Sequence, residues 1–392
     1  MISAGITMNS GILSPSIGRG RGKKDTWRMI MLRLLLLLTI CSSVNAVNAQ
    51  QPKAAPSPYN DHVDLSYFYD AFGRRRSIES KSDWMQRRQQ ILADMQLIMG
   101  PLPSPEAPVV LDLKVHEETK TANYIRQLVS YHTDSKNRRV RAYLFLPPST
   151  EAPRAAVLCL HQTTTIGKKE PAGLGGNPQL HYARHLAERG FVTLAPDYPS
   201  FGEYDYSFSA KDGYVSGTMK AIYDNIRAID LLQSLAQVDG GRIGCIGHSL
   251  GGHNTLFTAA FDSRIKVMVS NCGFTRFHKY YEGKLKGWTS ARYMPLINDK
   301  YENDPDQVTF DFPEIIASFA PRPFLASSPI HDANFEVSGV KDSMAQALKI
   351  YRLYDAEHNL QANYPNAAHS FPKEAREVAY RFLEKHLMVP PP

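Results

Sequence analysis

The feature that most constrains this chain is the decapeptide of residues 243–252, which reads Ile-Gly-Cys-Ile-Gly-His-Ser-Leu-Gly-Gly. Gly247, Ser249 and Gly251 match G-x-S-x-G, the motif of a sharp turn that joins a strand to a helix and exposes a serine at its apex. The residues two before and two after that serine must be small, because a side chain at either position would clash across the turn. The apolar run before the turn predicts a buried strand, and residues 250–260 predict a helix. The motif therefore predicts that Ser249 is a nucleophile.

The positive charge of the chain is concentrated at its start. The 392 residues include 45 Lys and Arg and 38 Asp and Glu, a formal charge of +7. Residues 1–49 hold six of these basic side chains and one of the acidic ones, which leaves 39 basic and 37 acidic side chains in the rest. Because the positive and negative charges of this remainder nearly cancel, it offers no strongly basic surface for a polyanion, and we do not expect nucleic acid as a partner.

The same N-terminal segment has the order of a secretory signal peptide. Its basic residues precede an apolar run at 29–41, which is too short to span a bilayer comfortably. Val47 and Ala49 then place small residues at the −3 and −1 positions of a cleavage site before Gln50. An uncleaved signal anchor and translation from a later Met are the alternatives. We expect a secreted or periplasmic protein that has no membrane attachment once the leader is removed.

The rest of the chain divides into a linker, an extension and one large domain. Residues 50–60 are rich in Pro and predict an extended linker. Residues 61–120 predict a helical extension, whose helix is capped near Ser82 and runs to Met99 with arginines on its exposed face. Residues 121–388 predict the main domain.

Strands and helices alternate through this domain, with connections of ordinary length. The predicted strands are 124–131, 140–146, 155–160, 191–195, 242–246, 265–270, 323–327 and 360–364, and the predicted helices are 179–189, 218–235, 250–260, 312–319, 343–353 and 373–387. This alternation predicts an open α/β sheet, mostly parallel after its first strands, with helices on both faces. Residues 273–311 form one long irregular insertion, which we expect to lie over Ser249 as a small cap.

A serine hydroxyl needs a base to take its proton and a third group to orient that base. After a sharp strand-to-helix turn of this kind, called the elbow below, the acid and then the histidine follow in chain order, each at the carboxyl end of a strand. His369 lies between the last strand and the last helix, whereas the runner-up His358 precedes that strand. Asp332 is the first carboxylate after the penultimate strand, and Glu336 and Asp342 are its alternatives.

Acyl transfer also needs hydrogen-bond donors aimed at the developing oxyanion. One is the backbone N–H of Leu250, directly after the nucleophile. The other is expected in the loop after the strand 155–160, which begins His161-Gln162-Thr163. Most loops of this kind read His-Gly, and the N–H of the next residue is the donor, so Thr163 is the candidate. Gln162 stands in place of the usual Gly and is the alternative.

Four segments carry a resemblance to a known superfamily. They are Arg227-Ala228-Ile229-Asp230, Val238-Asp239 before Arg242-Ile243-Gly244, the elbow itself, and Asp262-Ser263-Arg264-Ile265-Lys266. Together they resemble the α/β-hydrolases over residues 120–388, most of all the branch of dienelactone hydrolases and acetyl xylan esterases. The resemblance implies the hydrolysis of carboxylic esters, often acetyl groups on plant polysaccharide. Dienelactone hydrolases use Cys as the nucleophile, so a serine favours ordinary ester substrates.

Three residues of the insertion are candidates for substrate contact. Trp288 and Tyr293 offer aromatic faces that suit sugar rings, and Arg292 suits a carboxylate such as a uronate. The alternative is that these side chains pack the cap onto the body. No His, Asp, Glu or Cys cluster has the spacing of metal ligands, so we expect neither a metal nor another cofactor.

These observations predict a secreted serine hydrolase that acts on a small-molecule or polysaccharide ester through an acyl-enzyme. One rival is a serine peptidase of the prolyl-oligopeptidase type. The roughly 70 residues after the linker are too few for the β-propeller that such enzymes usually carry. A second rival is a binding protein on a hydrolase scaffold, against which the complete set of Ser249, Asp332 and His369 argues. The sequence does not predict the oligomeric state.

Overall fold

A computed structural model describes residues 57–103, 109–134, 138–148 and 152–388, all within the unit Pro56–Pro392. The predicted signal peptide at residues 1–49, its cleavage site and most of the predicted linker at 50–60 lie outside the described residues. None of the helices in the described ranges is long and apolar enough to cross a membrane.

The predicted helix of the N-terminal extension is present as α1, Lys81–Met99. Its cap is Ser80, two residues before the position predicted at Ser82. The Ser80 side chain accepts the backbone N–H of Asp83, and the Asp83 carboxylate accepts the backbone N–H of Ser80. This reciprocal capping box satisfies two of the N–H groups that a helix start leaves unpaired. Gly100, at φ 86°, ends the helix.

The prediction that the arginines of α1 lie on its exposed face is wrong for Arg87. This side chain is fully buried, pairs with Glu314 and lies 3.0 Å above the ring centroid of Tyr59. His62 Nδ1 lies 2.9 Å from the same Glu314 carboxylate. A buried guanidinium is tolerated when a carboxylate neutralises it, and here the partner is 227 residues along the chain. No local pattern could therefore indicate that Arg87 is buried.

Within the described residues, nine strands form one sheet and two form a separate hairpin. The hairpin strands are β1 (Tyr67–Tyr69) and β2 (Arg75–Ser77), and the sheet strands are β3 (Lys114–Lys120), β4 (Ile125–His132), β5 (Arg139–Leu146), β6 (Arg154–Leu160), β7 (Val192–Pro196), β8 (Val238–His248), β9 (Ile265–Asn271), β10 (Phe324–Ser327) and β11 (Leu360–Asn363). The sheet order is β11-β10-β9-β8-β6-β7-β5-β4-β3. Strands β3, β4, β5 and β7 pair antiparallel, and β7, β6, β8, β9, β10 and β11 pair parallel. The predicted open sheet, parallel after its first strands, is confirmed.

Helices cover both faces of this sheet, as predicted. After α1 they are α2 (Tyr182–Glu188), α3 (Gly217–Ser234), α4 (Leu250–Phe261), α5 (Leu296–Asp299), α6 (Phe312–Ala317), α7 (Val337–Leu353) and α8 (Lys373–Leu387). Successive side chains of a strand point to opposite faces, so β6 contributes to two cores. Val157 packs in the core that contains residues of α2 and α8, and Leu158 packs in the core that contains residues of α1, α3, α4, α6 and α7.

The predicted boundary of the main domain at residue 121 needs one correction. Strand β3, Lys114–Lys120, lies within the segment predicted as helical extension, yet it is the edge strand of the sheet and pairs antiparallel with β4. All seven of its residues are exposed. An edge strand held by backbone hydrogen bonds with both faces in water has no apolar alternation, so its sequence carries no strand pattern.

The insertion at 273–311 contains short helical turns rather than strands. They are the 3₁₀ segments Phe277–Gly283 and Leu285–Trp288, followed by α5. The ring centroid of Phe277 lies 5.4 Å from that of Phe312 on α6, which attaches the insertion to the body of the domain. This insertion is called the cap below.

Gly251, at the start of α4, has no room for a side chain. A Cβ added there would lie 1.9 Å from the carbonyl oxygen of Leu160 on β6. We predict that Gly251→Ala lowers the free energy of unfolding by about 3 kcal/mol or prevents folding, because neither backbone can move away cheaply. Urea denaturation measures the loss. The matched control is Gly240→Ala, whose added Cβ would come no closer than 3.4 Å to Gln233, and equal stability of the two variants would contradict the argument.

Candidate active site

The predicted strand–turn–helix around the serine is present. Strand β8 ends at His248, α4 begins at Leu250, and Ser249 between them has φ 55° and ψ −117°, a strained conformation for a residue other than Gly. The backbone N–H of Ser249 donates to the carbonyl of Asn271 at 2.9 Å, which holds the turn against β9. A Cβ on Gly247 would lie 2.1 Å from the Gly251 carbonyl oxygen, so the turn requires Gly there.

The predicted base and acid are hydrogen-bonded to each other. His369 lies in the loop after β11 and Asp332 in the loop after β10. The His369 Nδ1 lies 3.0 Å and 2.9 Å from the two carboxylate oxygens of Asp332. Backbone N–H groups of Asn334 and Phe335 donate to the same carboxylate at 2.8 and 3.1 Å. A carboxylate that holds the Nδ1 proton leaves Nε2 free to accept one.

The alternatives considered for these two positions are engaged elsewhere. Glu336 caps α7 and accepts the backbone N–H of Ser338 at 3.0 Å. Asp342 lies 3.6 Å from Arg276. His358 is exposed in the turn before β11, at the opposite end of that strand. The structure thus brings Asp332 to His369 and does not bring the alternatives there.

His369 lies next to the elbow. Its ring centroid is 4.9 Å from that of His248, the residue before Ser249, and 6.0 Å from that of Phe335. Burial, with the neighbouring His369, lowers the pKa of His248 to about 3, so this second imidazole stays neutral. The Ser249 hydroxyl makes no hydrogen bond to His369 among the described residues. Contacts of this kind are often long in an unliganded enzyme and tighten with substrate.

Ser249 lines a neutral pocket of about 150 Å³. The lining also includes residues of the cap, of the loop after β6 and of the loop after β10, namely Thr163, Leu250, His253, Tyr280, Gly287, Trp288, Tyr293, Asn334 and Phe335. None of these side chains carries a charge at neutral pH, since burial lowers the pKa of His253 to about 3. A larger groove of about 570 Å³ runs along α8 and contains neither Ser249 nor His369.

Two of the three predicted contact residues of the cap line this pocket. Trp288 and Tyr293 do so, although Trp288 is only 3% exposed and also packs against the cap's Phe277. Arg292 is not in the lining, because its guanidinium lies 4.4 Å above the ring centroid of Phe201 and its Nε donates to Ser200 Oγ at 2.8 Å.

Four lining residues were not singled out by sequence reasoning. They are Tyr280, Gly287, Asn334 and Phe335. The position of Phe335 carries some information, since it follows Asp332 by three residues. Tyr280 belongs to the insertion already predicted to cover the serine.

Both predicted oxyanion donors flank the serine in this pocket. Leu250 is the first residue of α4, where backbone N–H groups lack helical partners. Thr163 also lines the pocket, and its hydroxyl lies 3.1 Å from that of Tyr293. The side chain of the alternative, Gln162, instead donates to Glu170 at 2.9 Å.

One group of side chains among the described residues has the geometry to hold a metal ion. The ligand atoms of Cys272, Asp332 and His369 lie within 4.8 Å of one another. Burial raises the pKa of the Cys272 thiol well above its ordinary value, and a protonated thiol is a poor ligand. The hydrogen bond between His369 and Asp332 accounts for the remaining pair without a metal.

Comparison with known proteins places the chain among serine hydrolases. The prolyl oligopeptidase family model matches residues 179–387, just over half of the chain. YtaP of Bacillus subtilis, named in general terms as a hydrolase, is 28% identical over 77% of this chain and 99% of its own length. The 4-O-methyl-glucuronoyl methylesterase 1 of Wolfiporia cocos is 23% identical over 86% of this chain and 83% of its own length.

Solved structures of low sequence identity share the architecture. A glucuronoyl esterase from Solibacter usitatus has a TM-score of 0.63 at 16% identity, covering 84% of this chain and 99% of that one. A glucuronoyl esterase of carbohydrate esterase family 15 from Caldicellulosiruptor kristjansonii has a TM-score of 0.61 at 19% identity, covering 84% and 92%. At these identities the likeness concerns the fold, and the predicted α/β-hydrolase fold is confirmed.

The Asp332 carboxylate generates a prediction about pH. Burial opposes its ionisation, but hydrogen bonds from His369 and from backbone N–H groups outweigh that effect and hold its pKa below the ordinary value. A carboxyl whose pKa is depressed on folding stabilises the protein above its unfolded pKa of about 3.9, and that contribution is lost as the pH falls. We predict that Asp332→Asn is less stable than the wild type at pH 7 and that the gap narrows towards pH 3.

Urea unfolding at several pH values measures this gap. Asp342→Asn is the matched control, because the Asp342 side chain is half exposed and its contact with Arg276 is long, at 3.6 Å. A gap for Asp332→Asn that is independent of pH would show that the carboxylate charge is not stabilised by its surroundings.

Proposed function

The chain belongs to the prolyl oligopeptidase family, and from this membership and the geometry of the site we propose that it hydrolyses carboxylic esters through Ser249. In this proposal His369 is the general base and Asp332 is the acid that orients it. The observation that carries the proposal is the His369–Asp332 hydrogen bond beside the strained turn that presents Ser249. A surface histidine would need neither a buried carboxylate partner nor a place next to the elbow.

The reaction follows from these positions. His369 Nε2 takes the hydroxyl proton as Ser249 Oγ attacks the ester carbonyl, and the Asp332 carboxylate stabilises the imidazolium that forms. The backbone N–H groups of Leu250 and Thr163 donate to the oxyanion. The bond to the alcohol then breaks, the alcohol leaves with the proton from His369, and the acyl group stays on Ser249. Water activated by His369 hydrolyses this acyl-enzyme and restores the serine.

The pocket favours a small, uncharged ester group of a carbohydrate. Its volume of about 150 Å³ and its aromatic walls, Tyr280, Trp288 and Tyr293, suit an acetyl group or a methyl ester beside a sugar ring. The absence of a charged side chain from the described lining disfavours a free carboxylate as the group bound there. The Wolfiporia cocos relative, named as a 4-O-methyl-glucuronoyl methylesterase, supports a carbohydrate ester as the substrate.

A peptidase is the second candidate, since the family is named for one. One observation disfavours it, since the described lining of the pocket offers no charged side chain to hold a peptide terminus.

A panel of substrates tests the proposal. We predict turnover of p-nitrophenyl acetate and of acetylated xylan or a methyl glucuronate ester, with a peptide anilide cleaved far more slowly. Ser249→Ala should lower ester hydrolysis by about three to six orders of magnitude while the fold is retained, because the remaining site supplies binding but no nucleophile. Ser338→Ala is the control for loss of a hydroxyl outside the pocket. Full turnover by Ser249→Ala would end the proposal, and preference for the anilide would assign the site to peptides.

We also propose that residues 1–49 direct export of the protein. The support is the order of basic, apolar and small residues in that segment. Mass spectrometry of the protein recovered outside the cytoplasm should find an N-terminus at or near Gln50. Recovery of the intact segment in a membrane fraction would favour an uncleaved anchor instead.

A further inference from the structure

We propose that His161 is the positioning residue of the oxyanion hole, because its imidazole fixes the peptide that carries the Thr163 N–H. The inference rests on the proposed function, in which Thr163 is one of two oxyanion donors. His161 touches no substrate in this proposal and acts only through the Gln162–Thr163 peptide.

The hydrogen bonds of the ring determine its tautomer. His161 is 2% exposed and follows the last residue of β6. Its Nε2 accepts the backbone N–H of Tyr198 at 2.9 Å, so Nε2 carries no proton. A neutral imidazole has one N–H, which must therefore be on Nδ1. Nδ1 lies 2.5 Å from the carbonyl oxygen of Gln162 and donates to it.

The surroundings keep this imidazole neutral. Burial lowers the pKa of His161 below its ordinary value. The charged groups that face it are Asp197, Glu170 and Lys168. Asp197 and Lys168 form a buried ion pair at 2.7 Å, so the positive charge of Lys168 opposes the effect of Asp197 on the ring. Burial thus favours the neutral ring, whose Nδ1–H donates to Gln162.

The direction of the Thr163 N–H follows from peptide geometry. The Gln162–Thr163 bond is trans, so its N–H points opposite to its C=O. Because the Gln162 carbonyl is turned to the His161 ring, the Thr163 N–H is turned away from it. Thr163 lines the pocket together with Ser249 and Leu250, which is where the oxyanion forms.

The cap contacts the side chain of Thr163 and that of Tyr198, whose N–H the His161 ring accepts. The Tyr198 hydroxyl donates to the Arg292 carbonyl at 2.6 Å, and the Thr163 hydroxyl lies 3.1 Å from that of Tyr293. Contacts thus run from Arg292 of the cap through Tyr198 and His161 to Thr163, and from Thr163 back to Tyr293 of the cap. The cap is thereby coupled to the donor and not only to substrate binding.

Two substitutions of His161 test its hydrogen-bond donor, Nδ1, separately from its acceptor, Nε2. The amide nitrogen of Asn can take the place of Nδ1, so His161→Asn keeps a donor for the Gln162 carbonyl. The amide of Gln reaches the place of Nε2, so His161→Gln keeps an acceptor for the Tyr198 N–H and loses the donor. Half-buried His185 on α2, whose Nδ1 lies 3.0 Å from the Tyr380 hydroxyl on α8, provides the control His185→Gln.

We predict that His161→Gln lowers kcat for p-nitrophenyl acetate by about a hundredfold to a thousandfold with KM within threefold, as expected when one oxyanion donor is misaligned. His161→Asn should recover kcat to within about tenfold of the wild type, and His185→Gln should leave both constants unchanged. Thermal unfolding of each variant shows whether a loss of kcat follows a loss of structure.

The inference falls if His161→Gln retains full kcat, if both His161 variants lose kcat equally, or if the loss appears in KM. If neither variant folds, Tyr198→Phe decides, since it keeps the backbone N–H that His161 accepts and removes the hydroxyl's bonds to the Arg292 carbonyl and to Thr218. It should lower kcat several-fold with KM unchanged, and an unchanged kcat would overturn the inference. Failure of the proposed function differs from failure of this inference, because the wild-type protein would then hydrolyse no ester at all.

Discussion

The close approach of two backbones at the elbow is the constraint on which the site depends. Gly251 on α4 lies against the Leu160 carbonyl at the end of β6, where a Cβ would approach to 1.9 Å. This contact brings the start of the elbow helix beside the loop that carries His161 and Thr163. The two proposed oxyanion donors, on segments about 90 residues apart in the sequence, can then share one pocket with Ser249, which a longer separation of α4 from β6 would prevent.

Burial and hydrogen bonding assign different roles to the histidines around Ser249. Burial lowers the pKa of His248 and His253 to about 3 and also lowers that of His161, so these three rings remain neutral and serve as acceptors, donors or packing surfaces. His369 is the one of the four that has a carboxylate partner, and its side chain is 23% exposed. Only His369 therefore combines access to substrate with a group that stabilises its protonated form.

Features that depend on neighbouring residues were predictable from the sequence. Helix α8 has the predicted bounds, and the chain order after the elbow led to Asp332 and His369. Helix α7 begins at Val337, six residues before its predicted start at residue 343. In the structure Gly339 is needed for packing, since a Cβ there would lie 2.2 Å from the Thr275 hydroxyl.

Features that depend on distant partners were not predictable. The burial of Arg87 requires Glu314, and the orientation of Arg292 requires Phe201 and Ser200, none of which is near in sequence. The strand β3 is exposed on both faces and is recognisable only through its pairing with β4. The role proposed for His161 rests on its contacts with Tyr198 and the Gln162 carbonyl, which the sequence does not indicate.

A crystal structure of the protein treated with a phosphonate ester tests the central claim most directly. Such a compound forms a stable tetrahedral adduct that resembles the intermediate of ester hydrolysis. We expect phosphorus bonded to Ser249 Oγ, His369 Nε2 within hydrogen-bond distance of the adduct, and the phosphoryl oxygen about 2.7–3.1 Å from the N–H groups of Leu250 and Thr163. Phosphorus on another residue, or a phosphoryl oxygen directed away from both donors, would contradict it.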